Sequence, residues 1–193
     1  MIRKQMNYLL VFFFILAFIA GCDDFKSETI DLDPADQAAV NIFENNLVRD
    51  LSTTVFEDSL INIRSTEELI DSLLGIAKTV AGSDSVFRLV VTRDSYDTYL
   101  VFRSKAAGDV YFFFKDFIKM HLVGASGDTL ALMDDTMPYK TITGYYKVTL
   151  NDVTPLIKAR YCYEVEGNVN YLFKIIATDQ TRYRTFDLAI VQE

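Results

Sequence analysis

The sequence predicts an α+β domain in which two N-terminal helices pack on a mainly antiparallel β region. Two changes of pattern carry this prediction. Apolar residues recur at helical spacing after Asp33 and again after Ser65, and from Val86 onward the spacing becomes the two-residue period of strands. Half of the 193 residues are hydrophobic, which is enough for a folded core. We therefore expect one domain over residues 34–193.

The first helix is predicted to begin at Asp33 and to run to about Asp50. The Asp33 side chain can cap the helix, and Pro34 suits the first helical position because no helical hydrogen bond needs its missing N–H. One face of this helix would be apolar, formed by Ala35, Ala38, Ala39, Ile42, Phe43 and Leu47.

A second helix is predicted after Ser65, because Ser65 and Glu68 have the spacing of a capping box. Its apolar stripe would contain Leu69, Ile70, Leu73, Leu74 and Ala77, and Gly82 would end it. A short strand is expected between the helices, at 59–63. Neither helix can bury its stripe alone, so both must pack on the β region.

Nine strands are predicted in the β region, and the short connections between them favour antiparallel neighbours. Gly167 and Asn168 form a two-residue loop of the type that closes a tight hairpin, and Gly124 to Asp128 also reads as a turn. Phe112 to Phe114 is apolar on both faces, which is typical of a central strand. The predicted strands are 86–92, 98–104, 109–115, 117–123, 129–133, 142–150, 156–165, 169–177 and 183–192.

The simplest arrangement of these elements is an immunoglobulin-like sandwich with the two helices against one face or end. The alternative is a cystatin-like fold, in which one curved sheet cradles a helix. The large number of predicted strands favours the sandwich.

Residues 1–22 read MIRKQMNYLLVFFFILAFIAGC and carry a distinct pattern. Arg3 and Lys4 give a positive start, an apolar run extends from Leu9 to Ala20, and small residues precede Cys22. As a helix, that run would cover about 18 Å, which is too short for a hydrocarbon core of about 30 Å. The order of these features resembles the bacterial lipoprotein signal, whose lipobox places small residues before a cysteine. The resemblance covers these residues alone.

This resemblance implies that residues 1–21 are a signal peptide that is removed, and that Cys22 is the site of lipidation. Acyl chains such as palmitate on Cys22 would hold the protein at a membrane through its lipid. Residues 22–33 would then be the lipidated cysteine and an acidic tether. The chain would lie in the bacterial cell envelope, with the outer membrane expected and the periplasmic or surface face left open. Asp23 and Asp24 resemble either the surface-export signal of Bacteroidota-type lipoproteins or the inner-membrane retention signal of enterobacterial ones.

The composition argues against several classes of chemistry. A net charge of −8 disfavours a nucleic-acid partner. The chain has a single histidine, His121, which argues against a histidine-based hydrolase triad and against a three-histidine zinc site. Its strand places it opposite Ile118, Met120 and Leu122, on a solvent-facing side. A metal site formed by Asp31, Asp33 and Asp36 would lack the glycine and terminal glutamate of a calcium loop.

Cys162 shares one strand face with Lys158, Arg160 and Glu164. We expect a helix or loop to cover it as an inert apolar group; a reactive thiol or an intermolecular disulfide is the alternative. The paired carboxylates Asp134–Asp135 and Asp94 with Asp97 are expected to be solvated loop residues.

No catalytic, cofactor-binding or metal-binding residue is predicted, and Cys22 is the one assigned site. The leading hypothesis is a membrane-anchored, non-enzymatic cell-envelope module that binds another envelope protein or a surface ligand, or takes part in assembly. A structural homo-oligomeric surface lipoprotein is one alternative. An envelope hydrolase that uses loop carboxylates is the other.

Overall fold

Two helices pack on two mixed β-sheets, and a two-stranded ribbon completes the described secondary structure. The computed structural model describes residues 32–45, 47–56, 64–76, 78–91, 97–133, 140–142, 146–148, 156–176 and 185–193. The helices are α1 (Pro34–Glu44) and α2 (Thr66–Gly75). The strands are β1 (Val48–Ser52), β2 (Thr79–Val80), β3 (Val86–Val90), β4 (Thr98–Arg103), β5 (Gly108–Phe114), β6 (Met120–Val123), β7 (Lys140–Ile142), β8 (Tyr146–Val148), β9 (Ala159–Val165), β10 (Asn170–Ile175) and β11 (Thr185–Gln192).

The larger sheet has five strands in the order β1-β3-β11-β5-β9, and the smaller has four in the order β2-β4-β10-β6. Strand pairs are antiparallel except for β1–β3 and β2–β4, which are parallel. Strands β7 and β8 pair with each other. The predicted α+β class, with two helices and mainly antiparallel strands, is confirmed.

Consecutive strands alternate between the two sheets, apart from the β7–β8 ribbon. The predicted hairpin at Gly167–Asn168 is therefore wrong: β9 pairs with β5, whereas β10 pairs with β4 and β6. The tight turn itself is present, because Asn168 has a φ of 60°. A Cβ on Gly167 would lie 2.8 Å from the backbone nitrogen of Ala107, so glycine allows this turn to pack closely on the neighbouring connection.

The two sheets share one buried cluster, and each sheet carries a helix on its other face. Phe112 and Phe114 of β5 lie in the shared cluster, whereas Phe113 packs with α1, so the predicted central strand is confirmed. Helix α2 packs instead on β4 and β10 of the smaller sheet. The prediction that both helices lie against one face or end is thus wrong, because each apolar stripe covers a different sheet.

Helix α1 begins as predicted but ends earlier. The Asp33 Oδ1 atom accepts a hydrogen bond from the Ala35 N–H at 2.8 Å. The helix stops at Glu44 instead of continuing to Asp50, and Leu47 is exposed. The Val86 N–H donates to the Leu47 carbonyl at 2.7 Å, so pairing with β3 draws this segment into a sheet.

The capping box of α2 is confirmed. The Glu68 N–H donates to Ser65 Oγ at 3.2 Å, and the Ser65 N–H donates to Glu68 Oε2 at 3.0 Å. The helix ends at Gly75 and not near Gly82, because the chain pairs with β4 at Thr79. None of the helices in the part of the chain described here is long and apolar enough to cross a membrane.

Three strand predictions need correction or lie outside the description. Residues 129–133 do not form a strand: Thr129 makes an isolated bridge to Val123. The turn between them is confirmed, since the Gly124 N–H donates to the Asp128 carbonyl at 2.9 Å. Of the predicted strand 142–150, Ile142 belongs to β7 and 146–148 form β8, which pairs with β7; the other residues lie outside the description. The strand predicted at 59–63 lies outside the described residues.

Candidate functional site

A partly buried ion-pair cluster lies at the start of α1, where the predicted tether would meet the domain. It consists of Asp33, Asp36 and Arg160, and we call it the junction cluster. Arg160 Nη2 lies 3.2 Å from Asp33 Oδ2, and Arg160 Nη1 lies 3.3 Å from Asp36 Oδ1. Because Arg160 belongs to β9, the cluster joins the first turn of α1 to the larger sheet.

Two aromatic rings of β5 lie beneath the Arg160 guanidinium. Its central carbon is 4.9 Å from the centre of the Tyr111 ring and 6.0 Å from that of Phe113. The register of β5 and β9 places them there, since Phe113 is directly opposite Arg160. A cation close to an aromatic face gains electrostatic stabilisation, and more so away from water.

The two carboxylates of the junction cluster differ sharply in exposure. Asp36 is 1% exposed, whereas the Asp33 side chain is 43% exposed. Burial raises the pKa of Asp36 to about 6; the charge of Arg160 lowers the pKa and that of Asp33 raises it, but burial dominates. Arg160 Nη1 donates a hydrogen bond to Asp36 Oδ2 at 3.4 Å, whereas Asp36 Oδ1 and Arg160 Nε are buried and make no hydrogen bond to the described residues.

Helical periodicity explains why Asp36 is buried. It lies on the face of α1 that also carries Val40 and Phe43, and this face packs on the larger sheet. The predicted cap at Asp33 and the predicted strand face of Arg160 are both confirmed, but their pairing was not predicted. An aspartate inside an apolar helical stripe is the signal that was available, because a buried carboxylate needs a partner. The arrangement can hold α1 on β9 through charge.

Cys162 lies on the same strand face as the junction cluster and is buried, as predicted. Its Sγ atom is 3.9 Å from Met133 Sδ, and the Met133 N–H donates to the Cys162 carbonyl at 3.0 Å. Burial raises the pKa of the Cys162 thiol, which disfavours the reactive thiolate.

We expect Cys162 to resist alkylation in the native protein. Maleimide or iodoacetamide should label it only after denaturant is added, because the thiol is both covered and protonated at neutral pH. Mass spectrometry of tryptic peptides would locate the label, with Cys162→Ala as the unlabelled control. Rapid labelling without denaturant would instead favour the reactive-thiol alternative.

The other sequence-predicted positions do not converge on the junction cluster. His121 is exposed on β6 between the buried Met120 and Leu122, which confirms its predicted orientation. Asp97 lies 2.8 Å from the Lys174 ammonium, so it is an ion-paired residue. Cys22, Asp31, Asp94, Asp134 and Asp135 lie outside the described residues.

No set of three histidine, cysteine, aspartate or glutamate residues in the described ranges could hold a metal ion. Asp33 and Asp36, two of the three residues considered for a metal site, face Arg160 instead. Comparison of the chain with protein-family models, curated proteins and solved structures gave no match.

Proposed function

We propose that this chain is a lipid-anchored, non-enzymatic module of a bacterial cell envelope that binds another envelope protein or a surface ligand. The observation that carries this proposal is the segment Ile19-Ala20-Gly21-Cys22 after a basic start and an apolar run. Removal of 1–21 and acylation of Cys22 would leave a membrane-held domain at the end of an acidic tether. Each buried acyl methylene contributes about 0.8 kcal/mol, so two or more chains give stable anchoring.

The described geometry is compatible with this role. Asp33, the last residue of the proposed tether, both caps α1 and faces Arg160. A force applied to the tether would therefore be transmitted to the larger sheet through the junction cluster as well as through the backbone.

For the fold, we propose a sandwich of two facing sheets with one helix on each outer face. Its immunoglobulin-like form stays a prediction, since the parallel pairs β1–β3 and β2–β4 depart from an all-antiparallel sandwich.

We propose that the partner is recognised at the open edge of the larger sheet. Among the described strands, β1 has a neighbour on one side only, and Val48 to Asp50 is exposed. A strand edge offers backbone N–H and C=O groups that an extended segment of a partner can pair with.

Lipidation is tested by the mass of the protein isolated from its own cells. We expect residues 1–21 to be absent and Cys22 to carry acyl chains, with the protein in the membrane fraction. Cys22→Ala should move it to the soluble fraction, whereas Cys162→Ala should leave it in the membrane. A retained N-terminus with an unmodified Cys22 would refute the anchor.

Partner binding is tested by placing a photo-crosslinking amino acid at position 50 on β1. The matched control is position 164, an exposed site on β9 at the opposite edge of the same sheet. A crosslink to one envelope component from position 50 alone supports the proposal. A crosslink to a second copy of this chain would favour the homo-oligomeric alternative, and equal yields from both positions would contradict recognition at β1.

A further inference from the structure

The junction cluster holds one more negative charge than positive charge when all three groups are ionised. Arg160 supplies one cation, while Asp33 and Asp36 supply two carboxylates. Asp33 is partly open to water, which can stabilise its charge, but Asp36 is almost fully enclosed. Asp36 is therefore the carboxyl that gains more from binding a proton, because its ionised form is the one kept away from water.

We propose that Asp36 is a proton-dependent latch for α1: the helix docks on the larger sheet more tightly when Asp36 carries a proton, and docking weakens when the proton leaves. The latch lies at the point where the chain enters the domain, so loosening it would free the first turn of α1. It does not require a lipid on Cys22, and it goes beyond the proposed role in binding.

Charged and titratable groups face Asp36 from the helix cap, from β9 and from β5. Arg160 faces it from β9, and Asp33 from the helix cap. Tyr111 of β5 and Cys162 of β9 both have a raised pKa, and so they remain neutral below pH 7. The carboxylates of Asp109 and Glu193 act on Tyr111 and Cys162 rather than on Asp36. Lys115, which directly follows β5, lies against Phe43 in the last turn of α1.

The sign of the pH dependence follows from the raised pKa. Docked Asp36 has a pKa of about 6, and the value for an undocked aspartate is 3.8. Between these values the docked helix binds a proton that the undocked helix releases, so docking weakens as the pH rises through this window. The weakening of docking is absent below the pKa of the undocked aspartate and complete above the pKa of docked Asp36. Two pKa units correspond to roughly a hundredfold change in the docking equilibrium.

Hydrogen exchange on the full chain would measure this change. After correction for intrinsic exchange, the protection of α1 amides should fall by ten- to a hundredfold between about pH 4.5 and 7.5. Amides of α2, which packs on the smaller sheet away from the junction cluster, are the internal reference. Asp36→Asn should remove the pH dependence of α1, whereas Asp71→Asn, which changes an exposed acid of α2, should preserve it.

A carboxyl ¹³C titration of the unaltered protein provides the second measurement, which needs no variant that might fail to fold. The Asp36 resonance should titrate near pH 6. Titration near pH 4, or α1 protection that does not change with pH relative to α2, would overturn the latch. Retention of the full pH dependence in Asp36→Asn would also overturn it.

Discussion

Replacement of Arg160 by methionine is expected to lower the free energy of unfolding by about 3–5 kcal/mol. Methionine keeps an apolar stem above the Tyr111 ring but removes the cation that faces Asp33 and Asp36. Asp36 would then be an enclosed carboxylate without a counter-charge. The loss should be largest above pH 6, where Asp36 is ionised, and chemical denaturation at pH 5 and pH 7.5 would measure it.

Arg88→Met is the matched control for this substitution. Arg88 belongs to the same sheet and donates from Nε to Asp187 Oδ1 at 2.9 Å, but it is open to solvent. Exposed ion pairs contribute little to stability, so we expect a much smaller loss. The double variant Asp36→Leu/Arg160→Met should regain most of the stability, because no enclosed charge is left without its partner and Asp33 is open to water. If Arg160→Met and Arg88→Met lowered the free energy of unfolding equally, burial of the junction cluster would make no difference to stability.

Truncation of Phe112 to alanine should cost about 3–5 kcal/mol of folding free energy. Phe112 is fully buried between the two sheets and contacts rings from both of them. Its ring centre lies 5.1 Å from that of Phe102, 5.4 Å from that of Phe173 and 6.1 Å from that of Tyr163. Removal of the ring would leave a cavity that four β-strands border.

Phe117→Ala makes the same chemical change at a site that is 56% exposed. Its cost should stay within about 0.5 kcal/mol, the range of ordinary surface substitutions. Thermal and urea unfolding of both variants would give the comparison. A Phe112→Ala variant as stable as Phe117→Ala would mean that the two sheets do not share a tightly packed core.

Local features of this fold could be predicted from the sequence because neighbouring residues determine them. The Asp33 cap and the Ser65–Glu68 capping box depend on groups two or three residues apart, and both are present. The two-residue period likewise identified the buried β5 strand. Such periodicity reports which face of a strand is buried, but it does not report which strand supplies the hydrogen bonds. For that reason the Gly167–Asn168 turn was predicted to be a hairpin within one sheet.

The junction cluster was missed for a related reason. Asp36 and Arg160 are separated by 124 positions in the chain. The apolar stripe of α1 shows that Asp36 needs a buried cation, but the chain contains 19 basic residues and periodicity does not select among them. The pairing follows only from the docking of α1 over β9. The early end of α1 also depends on a distant strand, since β1 forms by pairing with β3.

The alternation of strands between sheets places β10 and β11, each of which has a neighbour on both sides, late in the chain. Strand β11 lies between β3 and β5, and β10 lies between β4 and β6, yet both follow all of these neighbours in the order of the described strands. Until they emerge, β3, β5, β4 and β6 each lack an interior neighbour. Contacts between such distant segments make folding slow, and unpaired strands are prone to aggregate. A nascent chain of this protein should therefore be most prone to aggregation before β10 and β11 have emerged from the ribosome.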